Sequence, residues 1–321
     1  MRSIRFTRNR SLNVLAITSP LFFLIALGYL GVYKKVLLPE HIPALGRFVL
    51  YFAVPGIMLI NLTKSTPQEL IKPDFMITYG LASVITYFVA NFLISRLTNS
   101  KGSEASILAM GGAIPNSMFV GLPILLQVMP EHATKVFALC VLVENLLVMP
   151  VALFVTEWKV ATSAADGTRQ ILSKIGKRLI SNPILLAVAV GLTMSALGLH
   201  FPAFIQQSLG MLASGAAATA LIMIGGSLVG NSIKGDLRAI SAVTLSKLVL
   251  HPLIMIAVLA AWGPIDPILY TAAVITAASP MLTVFPVLAG PYGAGKIAAS
   301  SLLAATVTAY ITLNAFWAFV L

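Results

Sequence analysis

Ten stretches of this chain are long enough and apolar enough to cross a bilayer, and short polar connections separate most of them. They cover residues 12–32, 45–62, 75–94, 106–128, 133–155, 183–199, 207–229, 239–262, 267–288 and 297–320. A helix rises about 1.5 Å per residue, so about 20 residues cross the hydrocarbon layer. A chain with ten such segments has too little polar surface to enclose them all and still face water. Composition agrees: 58% of the 321 residues are hydrophobic and 10% are charged, against about 25% charged in a soluble domain. The segments are longer than barrel strands and lack sustained period-two alternation. The predicted fold class is therefore an all-α polytopic membrane protein with ten transmembrane helices.

The net charge of +11 does not signal nucleic acid. The basic residues lie between apolar runs rather than on one face, as loop charges that set orientation do. Cys140 is the single cysteine, which excludes an intramolecular disulfide and a cage of several thiolates. His41, His132, His200 and His251 show no metal-ligand spacing, and no cofactor is expected. The Arg-rich start resembles a signal-peptide n-region. The apolar run behind it is longer than an h-region and has no Ala-x-Ala site, so it reads as the first spanning helix.

The longest polar connection, 157–182, contains Lys159, Arg169, Lys174, Lys177 and Arg178. It divides the chain into a first five-helix repeat (1–157), a basic linker (158–182) and a second five-helix repeat (183–321). An odd helix count per half requires the halves to insert in opposite orientations, an architecture that recurs in transporters. Lys34, Lys35, Arg47, Arg96, Lys101, Lys234, Arg238 and Lys296 fall on the linker's side. The opposite side holds the four N-terminal arginines, Lys64, Lys72 and Lys135. The loops place the N-terminus outside and the linker in the cytoplasm; the N-terminal tail alone argues the reverse.

Helices four and nine are interrupted at matching places in their halves. The fourth contains Pro115-Asn116-Ser117 with Pro123, and the ninth Ser279-Pro280-Met281-Leu282-Thr283 with Pro286. Proline lacks an N–H and displaces the carbonyl four residues earlier. The carbonyls released are those of Gly111, Phe119, Thr276 and Leu282. Unpaired backbone groups in hydrocarbon cost several kcal/mol each, so such breaks must be buried or line a wet cavity. They also create half-helix N-termini, each with about half a positive charge, suited to a carboxylate. Pro115, Asn116, Ser117, Ser279, Pro280 and Thr283 are therefore the candidate substrate-binding residues.

Four further polar residues lie within spans: Glu144 and Asn145 in the fifth, Lys247 and His251 in the eighth. Lys247 and His251 are four apart and share a face. Charge at bilayer depth is costly and must face protein or water. Glu144 reads as a proton carrier or cation ligand and Lys247 as an anion counter-charge; the structural alternative is a Glu144–Lys247 pair or snorkelling. None of these residues forms a catalytic set, and no enzyme is expected. The run Gly290-Pro-Tyr-Gly-Ala-Gly-Lys296 mimics a phosphate-binding loop but ends on Ile297, where Ser or Thr is needed. Gly210, Gly215, Gly225 and Gly226 are expected to permit close helix packing.

The run Ile114-Pro-Asn-Ser-Met-Phe-Val-Gly-Leu-Pro123 closely resembles the crossover signature of the auxin efflux carrier family, which includes bacterial malonate and malate permeases. Residues 45–55, 245–252 and 279–292 are similar to that family's second, eighth and ninth helices. The resemblance implies two inverted five-helix repeats with helices one, two, six and seven as scaffold and the others as a mobile transport domain. It implies that helices four and nine cross at Pro115 and Pro280, with a substrate carboxylate near Asn116. It also implies elevator-type movement of a small organic anion, a homodimer, and residence in a bacterial inner membrane. The long cytoplasmic loop of many plant members is missing, which favours a dicarboxylate over an auxin-like indole acid. Proton, sodium or membrane potential alone could drive transport; a sodium-coupled bile-acid-type symporter is the competing reading.

Overall fold

The computed structural model describes residues 10–64, 72–160, 164–230 and 236–320, with backbone alone at 10–18, 164–168, 171, 174, 178 and 317–320. Among them there is no strand. The helices are α1 (Arg10–Tyr33), α2 (Pro39–Leu62), α3 (Pro73–Leu97), α4 (Gly102–Ala113), α5 (Ser117–Val128), α6 (Pro130–Val160), α7 (Ala164–Ile180), α8 (Pro183–Ala196), α9 (Ala203–Leu228), α10 (Leu237–Trp262), α11 (Pro267–Ala278), α12 (Phe285–Ala289) and α13 (Gly295–Val320). Among the described residues, six helices (α2, α3, α6, α9, α10 and α13) are long and apolar enough to cross a membrane unaided. Shorter apolar helices cover the other four sequence stretches. Large apolar side chains such as Phe23, Phe52, Phe92, Met211 and Ile311 stand exposed, as lipid-facing residues must.

Helices α1, α2, α8 and α9 pack on one another, and α3, α4, α6, α10, α11 and α13 form a second packed group. The tightest approach is α1 on α9. A Cβ on Gly225 would overlap the Ile25 carbonyl, and one on Gly28 would overlap the Ile222 carbonyl. Small residues let backbones meet where lipid removes any hydrophobic drive for helix association. A Cβ on Gly226 would fall 2.5 Å from the Ile42 side chain, whereas Gly210 makes ordinary contact and Gly215 has nothing within 4 Å. The packing role expected of these four glycines therefore belongs to Gly225 and Gly226.

Four helices widen locally into one π turn: Val49–Ala53 in α2, Ser117–Gly121 in α5, Glu144–Val148 in α6 and Ser246–Leu250 in α10. In each case a proline (Pro55, Pro123, Pro150 or Pro252) stands two residues beyond the turn. The cause is steric. The ring collides with the carbonyl four residues back, and the helix relieves this by letting the preceding N–H reach five residues back. Thus Leu122 N–H donates to the Ser117 carbonyl, Met149 to Glu144 and His251 to Ser246.

The polar connection after α6 is not a loop, since most of it is α7. Periodicity within 169–180 supports this helix, but the density of charge there hid it. The arginines at 2, 5 and 8 and Lys234, four of the charges that set the expected orientation, lie outside the described residues.

Candidate functional site

The two interruptions meet. The Asn116 N–H donates to the Pro280 carbonyl at 2.7 Å, the Leu282 N–H donates to the Ile114 carbonyl at 3.3 Å, and Pro115 pairs antiparallel with Met281. Each break thus satisfies backbone groups of the other, as depth in a bilayer requires. Two of the released carbonyls are reused locally: Thr276 accepts from Ser279 N–H and Leu282 from Phe285 N–H, at 3.1 and 3.0 Å.

Asn116 is the N-cap of α5. Its Oδ1 accepts from Phe119 N–H at 3.1 Å, and its Nδ2 donates to Thr283 Oγ1 at 2.6 Å. One amide hydrogen of Asn116 remains, beside the Ser117 and Met118 N–H groups, which have no acceptor among the described residues. Three donors thus gather at the positive end of α5. The crossover is occluded: Asn116 is 2%, Ser117 3% and Ser279 0% exposed. Pro115 and Pro280 are also buried, Thr283 is half-buried, and Ser279 Oγ is turned back on the Ile275 carbonyl at 3.1 Å. Between α5, α2 and α9 the apolar side chains of Val54, Met118, Leu122, Pro123, Leu126, Ala216 and Ala217 meet with no room for a water molecule.

One hydrogen bond leads from the crossover to Glu144. Ser117 Oγ donates to Glu144 Oε1 at 2.5 Å, and the Tyr79 hydroxyl donates to the same oxygen at 2.7 Å. Glu144 is 5% exposed. The π turn in α6 starts at this residue. Tyr79 is a site residue missed in the sequence, although a tyrosine in mid-span needs a partner for its hydroxyl and so carries a signal. Asn145 belongs elsewhere: its Nδ2 donates to the Val141 carbonyl, and its Oδ1 accepts from Asn182 Nδ2, both at 2.9 Å. Asn182 caps α8, so Asn145 ties α6 to the start of the second half and is not grouped with Glu144.

Lys247 is wholly buried, and its ammonium donates to the Ala277 carbonyl at the C-terminus of α11. That carbonyl is left over where the helix breaks, at the negative end of its dipole. Lys247 Nζ also lies 3.0 Å from His251 Nδ1, and His251 Nε2 lies 3.2 Å from Ser83 Oγ. An ammonium has no acceptor lone pair, so this contact makes His251 Nδ1 the acceptor and puts the ring proton on Nε2, facing Ser83. No ion pair within 4.0 Å joins Lys247 to Glu144. The Glu144–Lys247 pair, the structural alternative, is therefore not a direct contact; each residue is held by its own polar set.

Phe285, also missed, packs against Gly111 of α4, four residues before Pro115. A Cβ on Gly111 would fall 2.5 Å from Phe285 Cε1 and Cζ. Gly111→Ala is expected to displace the ring and cost about 1–3 kcal/mol by overpacking. Restoring stability with Phe285→Leu in the Gly111→Ala background, read as thermal stability in detergent, checks the assignment.

The buried crossing of two interrupted helices, set among long apolar helices, is that of a multi-pass membrane protein. The chain belongs to the membrane transport protein family, that of the auxin efflux carriers, which it matches over residues 14–318. It is 28% identical to a protein of Rhizobium meliloti (strain 1021) named "Putative malonate transporter", over 89% of each chain. It is 23% identical to auxin efflux carrier component 8 of Arabidopsis thaliana, over 76% of this chain and 80% of the relative. It is a membrane transporter.

Proposed function

We propose that the protein is a secondary transporter of small organic anions, carboxylates such as malonate or malate, with its binding site at the N-terminus of α5. The observation that carries this reading is the set of unmatched donors there: the Ser117 and Met118 N–H groups and the spare Asn116 amide hydrogen. A carboxylate offers the complementary acceptors. The R. meliloti relative's name supports the substrate class.

In this reading the chain has ten membrane-spanning segments in two inverted five-helix repeats, 1–157 and 183–321, joined by the cytoplasmic linker 158–182. The N-terminus is outside, in a bacterial inner membrane. The group α1, α2, α8 and α9 is the scaffold, and the group holding the crossover moves past it in an elevator-type cycle, in a homodimer. The chain is not an enzyme and carries no cofactor. Glu144 couples transport to protons. An anion at Ser117 N–H would lie close to a carboxylate in a low dielectric, so substrate and proton are favoured together. Strict dependence on sodium would instead support the bile-acid-type alternative.

Asn116→Asp tests the site. Aspartate caps a helix as well as asparagine does, and Thr283 can turn its hydroxyl to donate, so the fold is kept. The new negative charge repels an anion. Purified variant in liposomes is expected to keep its thermal stability and lose saturable uptake of labelled malonate and malate. Unchanged uptake would remove the site from α5. Uptake of indole acids alone by the unmodified protein would move the substrate class to auxin-like acids.

A further inference from the structure

Helix α7 carries an apolar face that the rest of the protein covers only in part: Leu172 is exposed, and Ile175 and Leu179 are half-buried. Leu172, Ile175 and Leu179 recur at spacings of three and four residues and so share one side. Gln170, Ser173 and Lys177 occupy the other, and Arg169 stands at the boundary between them. Leu172 is 57% exposed, and none of the three apolar residues belongs to the packed core or its margin. The substantial contacts of α7 are with α6 and α8, its neighbours in sequence. The segment 169–180 contains the basic residues Arg169, Lys174, Lys177 and Arg178 and no acidic one.

We infer that α7 lies in the plane of the membrane surface as a binding element for anionic phospholipid headgroups. Two observations select lipid over a soluble partner. First, α7 is held at both ends by α6, long and apolar enough to span a bilayer, and by the apolar α8, with only short connections at 161–163 and 181–182. The helix therefore cannot lie far from the bilayer surface. Second, the charge of 169–180 is all of one sign, opposite to that of an anionic leaflet, and Asp166 in the first turn is the helix's one acid, while the apolar face can enter the acyl boundary. This inference needs the membrane location of the protein but not the identity of its substrate, so it stands or falls apart from the anion reading.

The test uses the full chain in liposomes of phosphatidylcholine alone or with phosphatidylglycerol. In a Cys140→Ser background, Leu172→Cys and Gln170→Cys are nitroxide-labelled, and their access to oxygen and to a water-soluble nickel chelate is compared. Leu172 is expected to favour oxygen and Gln170 the chelate, with the contrast larger in the anionic vesicles. Joint replacement Arg169→Gln and Lys177→Gln is expected to weaken surface association about thirtyfold, from about 1 kcal/mol per basic residue. Equal water exposure at both sites in both lipids would overturn the proposal. So would exclusion of both reagents from Leu172, which would mean that protein covers the face. Hydrogen exchange on the unsubstituted chain is an independent reading: amides of 169–180 should exchange more slowly with phosphatidylglycerol, and no difference would also overturn the inference.

Discussion

Gly225→Ala is expected to deprive the protein of a stable fold, whereas Gly215→Ala should be tolerated. Both sites lie on α9 and both changes add one methyl group. At Gly225 that group meets the main-chain carbonyl of Ile25; at Gly215 nothing lies within 4 Å. Overpacking against side chains costs about 1–3 kcal/mol because rotamers can yield. A carbonyl fixed in its own helix cannot, so α1 and α9 must separate along their contact. The cost should lie at or above the top of that range. Alanine at Gly215 should if anything stabilise the helix, by about 0.5–1 kcal/mol. Size-exclusion profiles and thermal stability in detergent check both, and a monodisperse, wild-type-like Gly225→Ala protein would contradict the packing described.

The second large effect concerns the buried charges. Glu144→Gln keeps an oxygen to accept from Tyr79 and Ser117, so the fold should survive while uptake loses its response to an imposed pH gradient. Glu144→Ala leaves two buried hydroxyls without their acceptor, each at about 1–3 kcal/mol, and should be visibly less stable. Lys247→Met preserves length but uncaps α11 and takes the donor from His251. A hydrogen bond to a charged group contributes about 1.5–3 kcal/mol, so uptake should fall at least about tenfold if that contact is needed in the working cycle. Proteoliposome uptake with pH and potential set separately gives both answers. Full, pH-responsive transport by the double variant Glu144→Gln/Lys247→Met would leave these residues a purely structural role.

The apolar stretches were legible because length and composition alone identify them, and each falls on helix. The paired breaks were legible because proline is the strongest local signal in an apolar run. Their partners were not. Nothing in the sequence ties Asn116 to Thr283 or Tyr79 to Glu144, since such contacts depend on how distant helices pack. Glu144 and Asn145 were grouped because they are adjacent, yet adjacent helical residues point about 100° apart and here meet different neighbours. Pro55, Pro150 and Pro252 were each visible, but the π turns ahead of them were not anticipated. Their effect is to place Glu144 and Lys247 in widened turns.

The two hydrogen bonds that join the breaks limit how the molecule can rearrange. Drawing residues 114–116 away from 280–282 would strand two donors and two acceptors in an oily interior, at several kcal/mol for each group. Carrying both segments along together leaves all four satisfied. The crossover thus behaves like a riveted lap joint between the first and second halves of the chain, and the easiest large displacement is one that transmits force through the joint without opening it.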